Sequence, residues 1–194
     1  LDTVAALGEL LSSQIVAAAF RHRGYPAVWV DARDIMKTND FFTRAEPDVD
    51  AIALAAQQYL LPLLQQGQIA VMGGFVGSAP GRVTTTLGRG GSDYTASLIG
   101  AAIGATAIEI WTDVDGMLTA DPRVVPGAQL IERISFDEAA ELAAFGAKVL
   151  HPATIAPAVQ RGIPVFVFNS RKPDGKGTMI AFDAPRDSFC SRIN

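Results

Sequence analysis

Thr84-Thr85-Thr86-Leu87-Gly88-Arg89-Gly90-Gly91-Ser92-Asp93-Tyr94-Thr95-Ala96 is the stretch on which the reading of this chain turns. Hydroxyl side chains, glycines, one cation and one anion crowd into it, and an apolar, helix-like stretch from Ala96 to Ala105 follows. Glycine lets a backbone approach a ligand closely and adopt angles barred to other residues. Ser92 or Asp93 can cap the following helix, whose N-terminal amides and dipole favour an anion. Arg89 can hold a carboxylate or a phosphate through two parallel hydrogen bonds. The segment therefore reads as an anion-handling loop on a helix N-terminus. It matches neither the Walker A pattern nor GxGxxG, and the same Gly, Ser and Asp also suit a plain turn closed by a capping pair.

Around this loop, helical and extended segments alternate. Residues 2–21 carry apolar side chains at helical spacing, 27–30 read as a short strand, and 48–66 as a second amphipathic helix ended by Gly67. Residues 68–72 are apolar and strand-like and lead into Gly73-Gly74. A helix over 92–104 and a strand over 107–111 come next. Residues 135–144 read as a helix opened by Ser135 with Glu138 placed to complete a capping box. Residues 152–161 form another helix with Pro in its first turn, and 164–168 the last buried strand. Such alternation predicts a mostly parallel sheet covered on both faces, a three-layer α/β/α sandwich. Ligands in such folds bind at the carboxyl ends of strands, where the loops 73–93 and 112–123 lie.

Bulk properties exclude several classes. The 194 residues suffice for one domain with a substantial core, and 49% apolar content argues against disorder. A net charge of −4 without a basic stripe argues against a nucleic-acid partner. Uninterrupted apolar runs fall well short of the roughly 20 residues of a membrane helix, and the N-terminus has no signal-peptide pattern. Cys190 is the only cysteine, so no internal disulfide forms, which suits a reducing, cytoplasmic setting. No zinc-ligand spacing is present.

The run TTTLGRGGSDYTA resembles the signature of aspartate kinases, within the amino acid kinase family. The likeness continues in Glu46-Pro47-Asp48 within RAEPD, in WTDVDGMLTADPR over 111–123, and in FGAKVLHPAT over 145–154. It runs from about Leu7 to about Ile180, and Lys37-Thr38-Asn39-Asp40 followed by RAEPD is most similar to the lysine-sensitive branch. The resemblance implies a phosphotransferase that moves the γ-phosphoryl of ATP to the β-carboxylate of L-aspartate, the first step toward lysine, threonine and methionine. ATP is the implied cofactor, with Mg2+ arriving on it. The resemblance also places Glu9 on the substrate ammonium and Arg89 on its carboxylates. Ser92 then donates to a phosphate or substrate oxygen, and Asp93 stands at the junction of substrate and phosphate. Arg89 and Asp93 are the implied catalytic pair. Thr112, Asp113, Arg123, Lys148 and Val149 fall on the nucleotide side, and Leu118 stands where relatives often carry tyrosine. Asp115-Gly116 and Asp121-Pro122 read as turns, His151 as a helix-start residue and His22 as surface.

Residues 1–182 resemble the C-terminal portion of the kinase catalytic domain, lacking its N-terminal part, and 183–194 a tail toward a regulatory region. The family opens with a strand and a Lys-Phe-Gly-Gly loop whose lysine contacts the transferring phosphate. None of Lys37, Lys148, Lys172 and Lys176 sits in that context. The expectation is that the 194 residues alone lack turnover. For the full-length protein the resemblance implies a homo-oligomer, with ACT regulatory domains or a second enzyme as possible fusions. The alternatives are a noncatalytic nucleotide-binding or assembly module, or another kinase of the same fold acting on glutamate, acetylglutamate or uridylate.

Overall fold

The computed structural model describes residues 1–121, 123–144 and 152–182, and the chain divides into two compact units, Leu1–Ile103 and Gly104–Asn194. Lys148, Val149, His151, Pro122, Cys190 and the 183–194 tail lie outside the described residues.

The first unit opens with α1 (Asp2–His22), which turns Asp2, Ala6, Leu10, Ser13 and Ala17 inward at three- and four-residue spacing. By length and composition α1 is apolar enough to cross a bilayer. A search for uninterrupted apolar runs misses it, because Gly8-Glu9 and Ser12-Ser13-Gln14 break the run. Here its inner face packs Ala6 and Leu10 against Ala32 and Val76. Strands β1 (Ala27–Val30) and β2 (Ile69–Met72) pair in parallel, Val30 opposite Met72. Asp31 caps α2 (Ala32–Ile35), a single turn. Asp48 caps α3 (Val49–Ala55), which runs through a π turn at Ala56–Leu60 into α4 (Leu61–Gln65). The helix expected over 48–66 is thus continuous but widened, with the Leu61 N–H bonded to the Ala56 carbonyl. Pro62 has no N–H to give and its ring crowds the preceding turn, which favours the wider ladder.

The main departure from the sequence reading lies between Gly73 and Asp93. Instead of one long loop, this stretch contains a hairpin, β3 (Val76–Ala79) antiparallel to β4 (Val83–Thr86). Thr84, Thr85 and Thr86 are buried strand residues, so the anion-handling loop begins only at Leu87. β-Branched threonines favour a strand, but Gly77, Pro80 and Gly81 disguise it as a loop. The hairpin is tied down from outside: Thr38 Oγ1 meets Thr85 Oγ1 at 2.7 Å, and Arg82 at the turn pairs with Asp31 and Asp34. Helix α5 (Gly91–Ile103) then begins one residue earlier than expected. Ser92 and Asp93 therefore sit inside its first turn rather than capping it.

The second unit holds one four-stranded sheet in the order β5-β7-β8-β6, from β5 (Ile108–Thr112), β6 (Arg133–Ser135), β7 (Val165–Asn169) and β8 (Thr178–Ala181). β5 pairs parallel to β7 and β6 parallel to β8, while β7 and β8 are antiparallel. Residues 164–168 are therefore not the last strand. Ile108, Ile110, Val165 and Val167 point into the core, whereas Trp111 and Phe168 meet on the other face, ring centroids 4.9 Å apart. Helices α6 (Phe136–Ala144) and α7 (Pro152–Arg161) accompany the sheet. The expected capping box forms: Ser135 Oγ accepts the Glu138 N–H, and Glu138 Oε2 accepts the Ser135 N–H. The class is α/β with parallel-rich sheets, and the four predicted strands pair two by two, β1 with β2 and β5 with β7.

Candidate functional site

In the first unit, α1, the end of β2 and the start of α5 converge on Gly73-Gly74. A Cβ on Gly73 would stand 3.0 Å from the Glu9 carbonyl oxygen, and one on Gly74 would stand 2.9 Å from Ser92 Cα. Only glycine tolerates that approach, and through it Glu9 and Ser92 come to line one cavity of about 380 Å3 with Gly74, Met72, Thr95 and Ile99. Arg89 and Asp93 belong to the same segment as Ser92 but are not among the residues lining this cavity.

The charges here are left open. Glu9 is half-buried and Arg89 exposed, and neither side chain has a hydrogen bond or ion pair among the described residues. Asp93 is half-buried in the first turn of α5, and burial pushes its carboxyl above the ordinary carboxylate value. The positive end of the α5 dipole favours the anion at the same position.

In the sequence Asp2 is an ordinary acid in a first helical turn. It is buried, and its Oδ2 accepts the Thr86 N–H at 2.8 Å, the Thr86 hydroxyl at 3.1 Å and the Thr43 N–H at 2.8 Å. It thus anchors the end of β4, three residues before Arg89, to the start of α1. The family-like Lys37–Asp40 and Glu46–Asp48 stretches are likewise stitched together: the Asn39 N–H reaches the Glu46 carbonyl and the Asp48 N–H the Lys37 carbonyl.

The second unit carries the residues expected for a nucleotide. Thr112 ends β5, and its carbonyl accepts both the Ser170 N–H at 2.8 Å and the Ser170 hydroxyl at 3.0 Å. Asp113 is exposed beside it. Asp115 accepts from Lys172 and Asn169, which hold its carboxyl below the usual value. Buried Thr178 fixes the following loop by accepting the Met117 N–H and donating to the Ile131 carbonyl. Leu118, in the family's tyrosine position, bridges to Leu130. Arg123 is exposed and held bidentately by Asp121, at 3.0 and 2.7 Å. Lys148 and Val149 fall outside the described residues, and His22 is exposed as expected.

Parallel-rich sheets and a glycine-backed cavity at the start of a helix define an α/β protein with a candidate small-molecule site. The chain belongs to the amino acid kinase family, whose model matches residues 1–169. It is 51% identical over 179 residues to the lysine-sensitive aspartokinase 3 of Escherichia coli K12, covering 92% of this chain and 40% of that relative. It is 41% identical over 177 residues to the aspartokinase of Chlamydia pneumoniae, 91% of this chain and 39% of that one. Among solved structures it is similar to E. coli aspartokinase III in complex with aspartate and ADP, with TM-score 0.89 and 50% identity over 95% of this chain and 41% of that chain. The chain thus spans about two fifths of the length of the curated relatives it matches.

Proposed function

We propose that this chain forms part of an aspartokinase, with L-aspartate as acceptor and ATP as donor. One observation carries the reading: in the first unit the Glu9 carboxylate and the Arg89 guanidinium both lack a partner among the described residues. An amino acid presents an ammonium and carboxylates, the complement of that pair. The aspartate and ADP in the similar E. coli structure support this choice of ligands.

ATP with Mg2+ supplies the γ-phosphoryl, which ends on the β-carboxylate as an acyl phosphate while ADP leaves. Transfer of this kind depends on positioning and on fixed charge around the phosphoryl oxygens. Arg89 clamps a substrate carboxylate through its planar fork, and Glu9 accepts the ammonium. Ser92 donates to an oxygen of the acceptor or phosphate, and Asp93 orients a cation beside the reacting groups. Thr112 and Asp113 meet the adenosine, while Arg123, Lys148 and Val149 serve the phosphate side. Arg123 exchanges Asp121 for phosphate at little cost, since an exposed ion pair contributes little. The product heads the aspartate-derived amino acids, lysine among them, in the cytoplasm.

A second reading, a nucleotide-binding module without turnover, draws on the lysines. Lys37 donates to the Arg33 carbonyl, Lys172 pairs with Asp115 and Lys176 with Glu132, so each described lysine is already engaged. The deciding assay offers the natural gene product aspartate, glutamate and acetylglutamate, trapping acyl phosphate with hydroxylamine, and offers UMP separately with ADP release as the readout, since a phosphoanhydride forms no hydroxamate. Aspartyl hydroxamate alone is expected. Nucleotide binding with no hydroxamate from any amino acid and no ADP release with UMP establishes the second reading.

A further inference from the structure

The segment from Leu87 to Thr95 is closed across the peptide groups of a single residue, Phe75. The Leu87 N–H bonds the Phe75 carbonyl at 2.9 Å, and the Phe75 N–H bonds Thr95 Oγ1 at 3.1 Å. Between these two fastenings lie Arg89, Ser92 and Asp93. Phe75 has φ of 68°, a left-handed conformation that a bulky side chain adopts only when its surroundings impose it. Thr95 is 4% exposed and also donates to the Gly91 carbonyl at 2.7 Å. That second bond, back to the fourth preceding residue, is an ordinary habit of helical threonine. The bond to Phe75 is not part of the helix; it gives a partner to the amide of a strained residue outside it. Gly91 completes the closure, since a Cβ there would stand 3.0 Å from Leu87 Cβ and 3.0 Å from Phe75 Cδ2.

We infer that Thr95 is a positioning residue: its hydroxyl holds the Gly74–Phe75 turn in its left-handed conformation and so sets where the Arg89–Asp93 segment stands relative to Glu9. The inference rests on the aspartokinase reading and assigns no contact between Thr95 and substrate. Without the hydroxyl, the Phe75 peptide relaxes toward negative φ. The wall between Glu9 and Ser92 moves, and Leu87 carries Arg89 with it.

The test compares Thr95→Val and Thr95→Ser in the natural gene product, with aspartate binding measured by calorimetry and KM measured for both substrates. Thr95→Val is expected to weaken aspartate binding about 5- to 15-fold, the loss attached to one buried hydrogen bond. The KM for ATP is expected to stay within about twofold, and Thr95→Ser to bind aspartate within about twofold of wild type, because serine restores the hydroxyl. Unchanged aspartate binding in Thr95→Val overturns the inference. So does an equal loss for both substrates, or a serine variant as weak as the valine one, since a general packing role would produce either. If Thr95→Val does not fold, hydrogen exchange at the Phe75 amide of the wild type decides. A protected amide that gains protection with aspartate sustains the clamp, and a freely exchanging one overturns it. A wild-type protein that binds no aspartate at all removes the aspartokinase reading and this inference together.

Discussion

The two candidate sites, one in each unit, treat charge in opposite ways. In the first, neither Glu9 nor Arg89 has a side-chain partner among the described residues, and Asp93 is held half-buried at a helix N-terminus. In the second, Asp115 binds Lys172 and Asn169, Arg123 binds Asp121, and Lys176 binds Glu132. An unpaired charge in a folded chain forgoes an available stabilisation, which is sensible where a ligand will supply the counter-charge. Exposed pairs contribute little to stability and can be exchanged for a phosphate at small cost. On the proposed reading the first site is kept ready for a zwitterion, and in the second Arg123, Lys172 and Lys176 are stored on carboxylates of the chain.

The largest expected effect tests whether any cation in this chain can serve the phosphoryl. Turnover by the 194 residues alone should lie on the order of 10³-fold or more below that of the natural gene product. Comparable hydroxamate formation by both would show that Lys148, or a lysine released from its pair, does that work. Next comes the unpaired charge itself. Arg89→Ala should weaken aspartate binding about 10- to 150-fold, or about 1.5–3 kcal/mol, and Arg89→Lys should recover only part of it. An unchanged aspartate KM in the alanine variant would erase the contrast between the units.

Gly91→Ala should lower stability by about 1–3 kcal/mol through overpacking against Leu87 and Phe75, read as a shift in denaturation midpoint. A midpoint equal to wild type would mean that the closure of the 87–95 segment is slack. A smaller effect concerns the paired charges within the first unit. Burial would raise the Asp31 carboxyl, but hydrogen bonds from the Arg33 side chain and backbone, with the charges of Arg33 and Arg82, outweigh it and leave it below the ordinary 3.8. Because the folded value lies below the unfolded one, this stabilisation is fully present above about pH 3.8 and is lost as pH falls through the folded value. Wild-type stability should thus drop more steeply in acid than that of Asp31→Asn, and parallel acid limbs would count against the network. Smallest of all, Arg123→Gln should leave the denaturation midpoint unchanged, because an exposed pair contributes little, while raising the KM for ATP. A lowered midpoint would show that the Asp121 pair is structural rather than exchangeable.

Much of this was legible in advance where the signal is local. The helix-spaced face of α1, the helix beginning near Asp48, the Ser135–Glu138 capping box and the apolar strands β1, β2, β5 and β7 all follow from interactions within a few residues. The hairpin was not legible. Its glycines and proline read as loop, while its threonines pair with β3 and are further tied by Thr38 and Arg33 from elsewhere in the chain. Thr95 and Asp2 carried no distinguishing pattern at all.

The residue order by itself determined the class of fold, the family and the identity of the candidate side chains Glu9, Arg89, Ser92 and Asp93, because periodicity, caps and long motifs are short-range properties of a chain. Tertiary structure alone decided which of these share a cavity and what holds them there. Asp2 reaches Thr86 across 84 positions, Thr95 reaches Phe75 across 20, and Gly74 lies against Ser92. Contacts at such separations depend on how elements pack, and no local propensity encodes them.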